Sequence, residues 1–242
     1  MDSNVVSYSL QYACIAIEAG LILYLARSGE LKRGSGAALY LLSLLVAGWL
    51  RASILHKYGL TSRQYFYVYW STDFLLVSSA FLVMCSFFRR ACRGEDKLWG
   101  FVRFLLGFIF VLVVGFSALS ISRNYSGLFP NFVYEFNQNL YFTCLVLNTL
   151  LYLLLQHIDS VDDQLGLLVC GVGIQFAGPA ATLALVNLTA GERFAQSLGS
   201  SVMRLCTLGM LLVWAYAFIR VRDKETTGAR HEVPALAEAT AD

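Results

Sequence analysis

"QYFYVYWSTDFLLVSSAFLVMCSFF", residues 64–88, decides the fold class. Five aromatic rings precede Asp73, the single charge of the stretch, and fifteen uncharged residues follow it. As a helix the segment would be ~37 Å long at ~1.5 Å per residue, which exceeds the ~30 Å hydrocarbon core of a bilayer. A core helix of a water-soluble domain has no need of so long an uncharged run, whereas a membrane span requires one.

The rest of the chain repeats this pattern. Of 242 residues, 57% are hydrophobic and 14% charged, where a soluble domain carries roughly a quarter charged residues. Seven apolar blocks stand out, at 5–26, 36–55, 65–88, 98–121, 132–156, 164–187 and 195–221. A lipid-exposed backbone must satisfy its own hydrogen bonds, and the two-residue alternation of a membrane β-barrel strand is absent. The expected fold is therefore all-α: a polytopic bundle of seven transmembrane helices over residues 1–221, followed by a short disordered tail at 222–242. No soluble domain is expected beside it.

Orientation follows from Lys and Arg in the connections. Arg27, Lys32 and Arg33 follow the first block, Arg89, Arg90, Arg93 and Lys97 the third, and Arg220, Arg222, Lys224 and Arg230 the seventh. The other side holds mainly Lys57, Arg63, Arg123 and Arg193. The N-terminus is thus expected outside and the C-terminus in the cytoplasm, in the cytoplasmic (plasma) membrane. The first block lacks a basic flank before it, so it reads as a retained anchor and not as a cleaved signal. The connection "HIDSVDDQ", residues 157–164, has neither Lys nor Arg; Ser160 with Asp163 suggests a helix N-cap there.

Six ionisable residues lie within or at the edges of the spans: Glu18, Asp73 and Glu135, and Arg51, Arg103 and Arg204. Each costs at least a few kcal/mol unless it snorkels or finds a partner. Depth sorts them. Asp73 and Arg204 share a level in the outer half, Arg51 and Glu135 lie nearer the outer surface, and Glu18 and Arg103 form an expected inner polar pair. Polar stripes fall on matching faces: Gln11, Cys14 and Glu18; Glu135, Gln138 and Asn139; Ser197, Ser200, Ser201 and Arg204. Together they predict an outward-facing polar pocket lined by Asp73, Arg204, Arg51, Glu135, Gln138 and Gln175, or alternatively a set of interhelical contacts that only fix the packing. For Asp73 the preferred partner is Arg204, with Arg51 second.

Tyr65, Tyr67, Tyr69 and Trp70 sit where an interfacial aromatic belt belongs, but Tyr69 and Trp70 share the helical face of Asp73 and join the candidate pocket. In "CGVGIQFAGPAATLALV", residues 170–186, small residues permit close helix approach, and Pro179 removes the hydrogen bond to the carbonyl of Gln175. A kink near Gly178 is expected, either as a hinge or as a static bend.

Other chemistries lack their residues. Retinal needs a lysine in the last span, and the spans contain none; the three histidines lie outside the membrane interior, so no haem site is expected. H-E-x-x-H and a serine elbow are missing. His157, Asp159, Asp162 and Asp163 read as a solvated capping loop, not as a metal site; no catalytic motif is found, so an enzyme is the less favoured reading but stays open, and no cofactor is expected. The six cysteines read as packing residues, and the sequons at 124 and 187 as chance occurrences. The N-out, seven-helix plan is similar in architecture to G-protein-coupled receptors, without D-R-Y after the third span or N-P-x-x-Y in the seventh. It also resembles SWEET and PQ-loop transporters, without their Pro-Gln motifs. Three functions follow as expectations: a receptor-like or ligand-binding protein, an accessory subunit of a membrane complex, or a small-solute transporter. The expected partners are membrane lipids, a protein partner or further copies in the membrane and a small-molecule ligand, but no nucleic acid.

Overall fold

The computed structural model describes residues 3–29, 34–59, 62–121, 128–157, 162–188 and 202–220. Within them the chain is all-helical: α1 (Ser3–Ser28), α2 (Ser35–Tyr58), α3 (Arg63–Ala91), α4 (Asp96–Ile121), α5 (Leu128–His157), α6 (Asp163–Leu188) and α7 (Val202–Arg220). Six of these helices, all but α6, contain windows long and apolar enough to cross a membrane. In α6 the stretch identified as apolar is Asp163–Gly178, within a helix of 26 residues.

The helix ends follow from local chemistry. Gly59 closes α2 at φ +77, a backbone region that L side chains rarely adopt, and its N–H reaches the Leu55 carbonyl at 3.0 Å. Three residues later the Ser62 hydroxyl accepts from the Tyr65 N–H at 3.1 Å and opens α3. The tight α3–α4 turn passes through Gly94 at φ +112. At the start of α6 the carboxylate of Asp162 accepts from the Leu165 N–H at 3.2 Å, so the cap comes from Asp162 and the expected Ser160 lies outside the described residues.

α3 occupies the centre of the bundle. It packs broadly against α2 and α5 and more narrowly against α4 and α6, while α5 also carries α4 and α6, and α1 rests on α2. Side-chain contacts seat α7 beside α6. Trp214 of α7 is fully buried, donates to the Leu168 carbonyl of α6 at 3.0 Å, and meets Tyr40 of α2 and Phe87 of α3 edge-on. Small residues permit this approach. A Cβ on Gly171 would lie 2.7 Å from Trp214, and one on Gly178 would lie 3.0 Å from Cys206. Gly209 of α7 accepts Ile174 of α6 in return. The α6 backbone remains helical through Gly178 and Pro179. Gly178 is thus a contact point between α6 and α7. The polar residues Ser197, Ser200 and Ser201, the sequon at 124–126 and the tail 222–242 lie outside the described residues.

Outward-facing side chains are large and apolar. On α4 Phe101, Phe104, Phe108, Val111, Phe116 and Leu119 are exposed, as are Leu205, Leu212, Tyr216 and Ile219 on α7. In water such a surface would aggregate; in a bilayer it is the face that meets lipid.

A polar junction between the second, third and fifth helices

Arg51 lies seven residues before the end of α2 and Asp73 ten residues into α3, and the short connection between the helices holds the two at one level. Arg51 Nη2 reaches Asp73 Oδ1 at 3.2 Å, and the side chains are 24% and 22% exposed. The same guanidinium donates through Nε to Thr72 Oγ1 at 2.7 Å and through Nη2 to the Tyr69 carbonyl at 3.3 Å. Its carbon lies 4.5 Å from the centre of the Tyr69 ring, a cation–π distance. Thr72 in turn donates into its own helix, toward the carbonyls of Val68 and Tyr69. Helical spacing explains this grouping: Tyr69, Thr72 and Asp73 at i, i+3 and i+4 share one face of α3.

The third member comes from α5. The Asn137 amide donates to Asp73 Oδ2, and Asn137 is 5% exposed. Its own carbonyl oxygen, Oδ1, is buried without a hydrogen-bond partner. Asp73 thus faces a guanidinium from α2 on one oxygen and an amide from α5 on the other. An aspartate that would be costly alone in a membrane span is held by two neighbouring helices.

Polar groups continue inward from this junction. Tyr141, one turn along α5 from Asn137, lies within electrostatic reach of Asp73, Arg51 and Tyr40, and its ring meets Phe176 edge-on. Tyr40 is buried and lies within interaction reach of Gln175 of α6 and of Glu18 and Asp73. Gln175 Oε1, Asn148 Oδ1 and Ser78 Oγ are further buried oxygens without a partner.

Several expected groupings are rearranged. The ion-pair partner of Asp73 is Arg51, not the preferred Arg204. Arg204 is partly buried on α7 and its charge acts on Cys14 of α1. Glu18 and Arg103 are not brought together: Glu18 is 5% exposed on α1 beside α2, whereas Arg103 is exposed on α4, which packs against α5 and α3. Equal depth says nothing about which helices are neighbours: it ranked Arg204 ahead of Arg51 for Asp73, and it set Glu18 beside Arg103. Glu135 and Gln138 are only partly buried on α5, and the α5 residue that reaches Asp73 is Asn137. Tyr69 enters the junction through its ring and carbonyl. Trp70 packs edge-on against Phe66 and Tyr69 in the aromatic cluster at the head of α3.

Sequence reasoning missed Asn137, Thr72 and Tyr40. The signal for Asn137 was present: Asn137, Tyr141, Cys144 and Asn148 are spaced i, i+4, i+7 and i+11, the period of one helix face. At the other end of α5 a cavity of about 450 Å³ is lined by residues including Gln156, Asp162, Asp163 and Arg220. Beside it Arg90 of α3 grips Asp162 through Nε at 2.8 Å and Nη2 at 2.9 Å, and also donates to Gln164 at 2.8 Å. This fork joins the end of α3 to the start of α6. The described residues contain no cluster of three or more metal-ligating side chains. No protein-family model, curated protein or solved structure matches the chain.

Proposed function

We propose that this protein is a receptor-like, ligand-binding membrane protein of seven crossings, whose polar site is the junction of Arg51, Asp73, Thr72, Tyr69 and Asn137. The carrying observation is the buried, unpartnered Asn137 Oδ1 beside a partly accessible ion pair. A purely structural polar contact tends to satisfy its buried acceptors, because each one left open costs ~1–3 kcal/mol. An open acceptor next to a reachable charge pair is what a polar ligand can complete. In this reading α6 is the remaining crossing, since its 26 residues span ~39 Å at ~1.5 Å per residue. The basic connections favour an external N-terminus, with the junction in the outer half of the plasma membrane and any signalling partner at the cytoplasmic ends.

A transporter is the second reading, favoured by the polar line that continues inward through Tyr141, Tyr40, Gln175 and Asn148. Screening polar small molecules against the purified full chain in nanodiscs tests the first reading. Saturable thermal stabilisation that is lost in Asn137→Leu supports it; no stabilisation by any compound argues against it. Net flux of the stabilising compound in liposomes moves the assignment to transport, and co-purification of stoichiometric partners without any ligand response moves it to an accessory subunit.

A further inference from the structure

Among the described residues, the orphaned side-chain atoms in the interior are all oxygens: Ser78 Oγ, Asn137 Oδ1, Asn148 Oδ1 and Gln175 Oε1. At Asn137 the chemistry fixes which amide atom is free. The carboxylate paired with Arg51 only accepts, so the amide nitrogen must face Asp73 and the carbonyl is left over. What is missing there is a donor, adjacent to a negative charge. At Arg51, the contacts described run through Nε and Nη2, and Nη1 enters none of them.

Charge balance then narrows the ligand. Arg51 and Asp73 sum to zero. A bare ammonium brought beside Asn137 would leave one positive charge uncompensated in a poorly solvated place, and a bare carboxylate on Arg51 would leave one negative charge. A neutral polar solute would fill the acceptor without using the guanidinium edge. Resting on the ligand-binding reading above, we infer that the junction takes a small zwitterion, with its ammonium on Asn137 Oδ1 and Asp73 and its carboxylate on Arg51 Nη1. The ammonium must be compact, because Asn137 is 5% exposed and its oxygen is fully covered. That geometry admits a primary ammonium and disfavours a quaternary one. It also requires the α3–α5 contact to loosen as the ligand enters.

The test compares four compounds on the wild-type chain in nanodiscs: glycine, methylamine as the ammonium half, acetate as the carboxylate half and acetamide as a neutral polar solute. Calorimetric titration should show saturable glycine binding, with each half at least about tenfold weaker, a ratio worth ~1.4 kcal/mol. Arg51→Lys keeps the charge but removes the fork, and should weaken glycine more than methylamine; Asn137→Leu should weaken glycine and methylamine alike. Either half binding as tightly as glycine overturns the inference, as does the absence of glycine binding. If neutral solutes such as acetamide bind saturably and lose binding in Asn137→Leu while glycine does not bind, the zwitterion is wrong and the site stands. If neither glycine nor acetamide binds, the zwitterion inference falls, and the ligand-binding reading is decided by the wider screen above. The wild-type comparison decides even if a variant fails to fold.

Discussion

Asp73 is held from two sides, so its two contacts can be separated. Removing the charge in Asp73→Asn leaves the Arg51 guanidinium without its counter-ion in a span. For a fully buried pair such a break costs ~3–5 kcal/mol, and for an exposed one ~0–1 kcal/mol. With both side chains less than a quarter exposed, the loss should fall between these ranges, read as a lower unfolding midpoint in detergent. The joint change Arg51→Met with Asp73→Leu should recover part of it, because no lone charge remains. Equal or greater loss in the double variant would show that the pair contributes through packing alone. Asn137→Leu should behave differently: it removes an orphaned acceptor as well as a donor, so its stability cost should be smaller than that of Asp73→Asn. These identities could be read from the sequence only in part. The presence of Asp73 in an apolar span announced that a partner was needed, but the two candidate arginines were ranked by depth. Depth is set by position along a helix, while contact depends on which helix stands beside it.

At the scale of elements, the α6–α7 contact rests on glycines. In Gly171→Ala the new methyl would meet Trp214 at 2.7 Å and the Met210 carbonyl at 3.4 Å. The indole must then move and loosen its 3.0 Å bond to Leu168. Overpacking of this kind typically costs ~1–3 kcal/mol. Gly107→Ala on α4, where nothing lies within 4 Å, should leave stability unchanged or raise it by up to ~1 kcal/mol. Thermal unfolding of the two variants side by side checks this, and equal shifts would refute the close-approach account. Pro179 poses a separate question, because the helix continues through it. If it is a hinge, Pro179→Ala should leave the folded yield unchanged and alter ligand response; a loss of folded protein alone would make it a static feature. The small-residue character of this span was legible in "CGVGIQFAG", but the partner helix was not, since Gly permits close approach to any neighbour.

For the whole molecule, the distribution of Lys and Arg predicts an external N-terminus and a cytoplasmic C-terminus. A reporter active only in the cytoplasm, fused after residue 242, should give signal, and the same reporter at the N-terminus should not. Signal from both ends would mean an even number of crossings and would remove α6 or another helix from the set of spans. The membrane character and the helical class could be read from the chain by itself, because uncharged runs of more than twenty residues have few stable alternatives in water and a lipid-exposed backbone has few besides the helix. The approximate helix limits were legible for the same reason: the expected 36–55, 65–88 and 132–156 fall within α2, α3 and α5. Only the tertiary structure decided who meets whom. Helical periodicity assigns each residue an angle and a depth on its own axis, but the order of helices around the bundle is a property of all the packing faces at once. That order set α3 between α2 and α5, turned Asp73 toward Arg51 and Asn137, and left Glu18 and Arg103 on helices that do not touch.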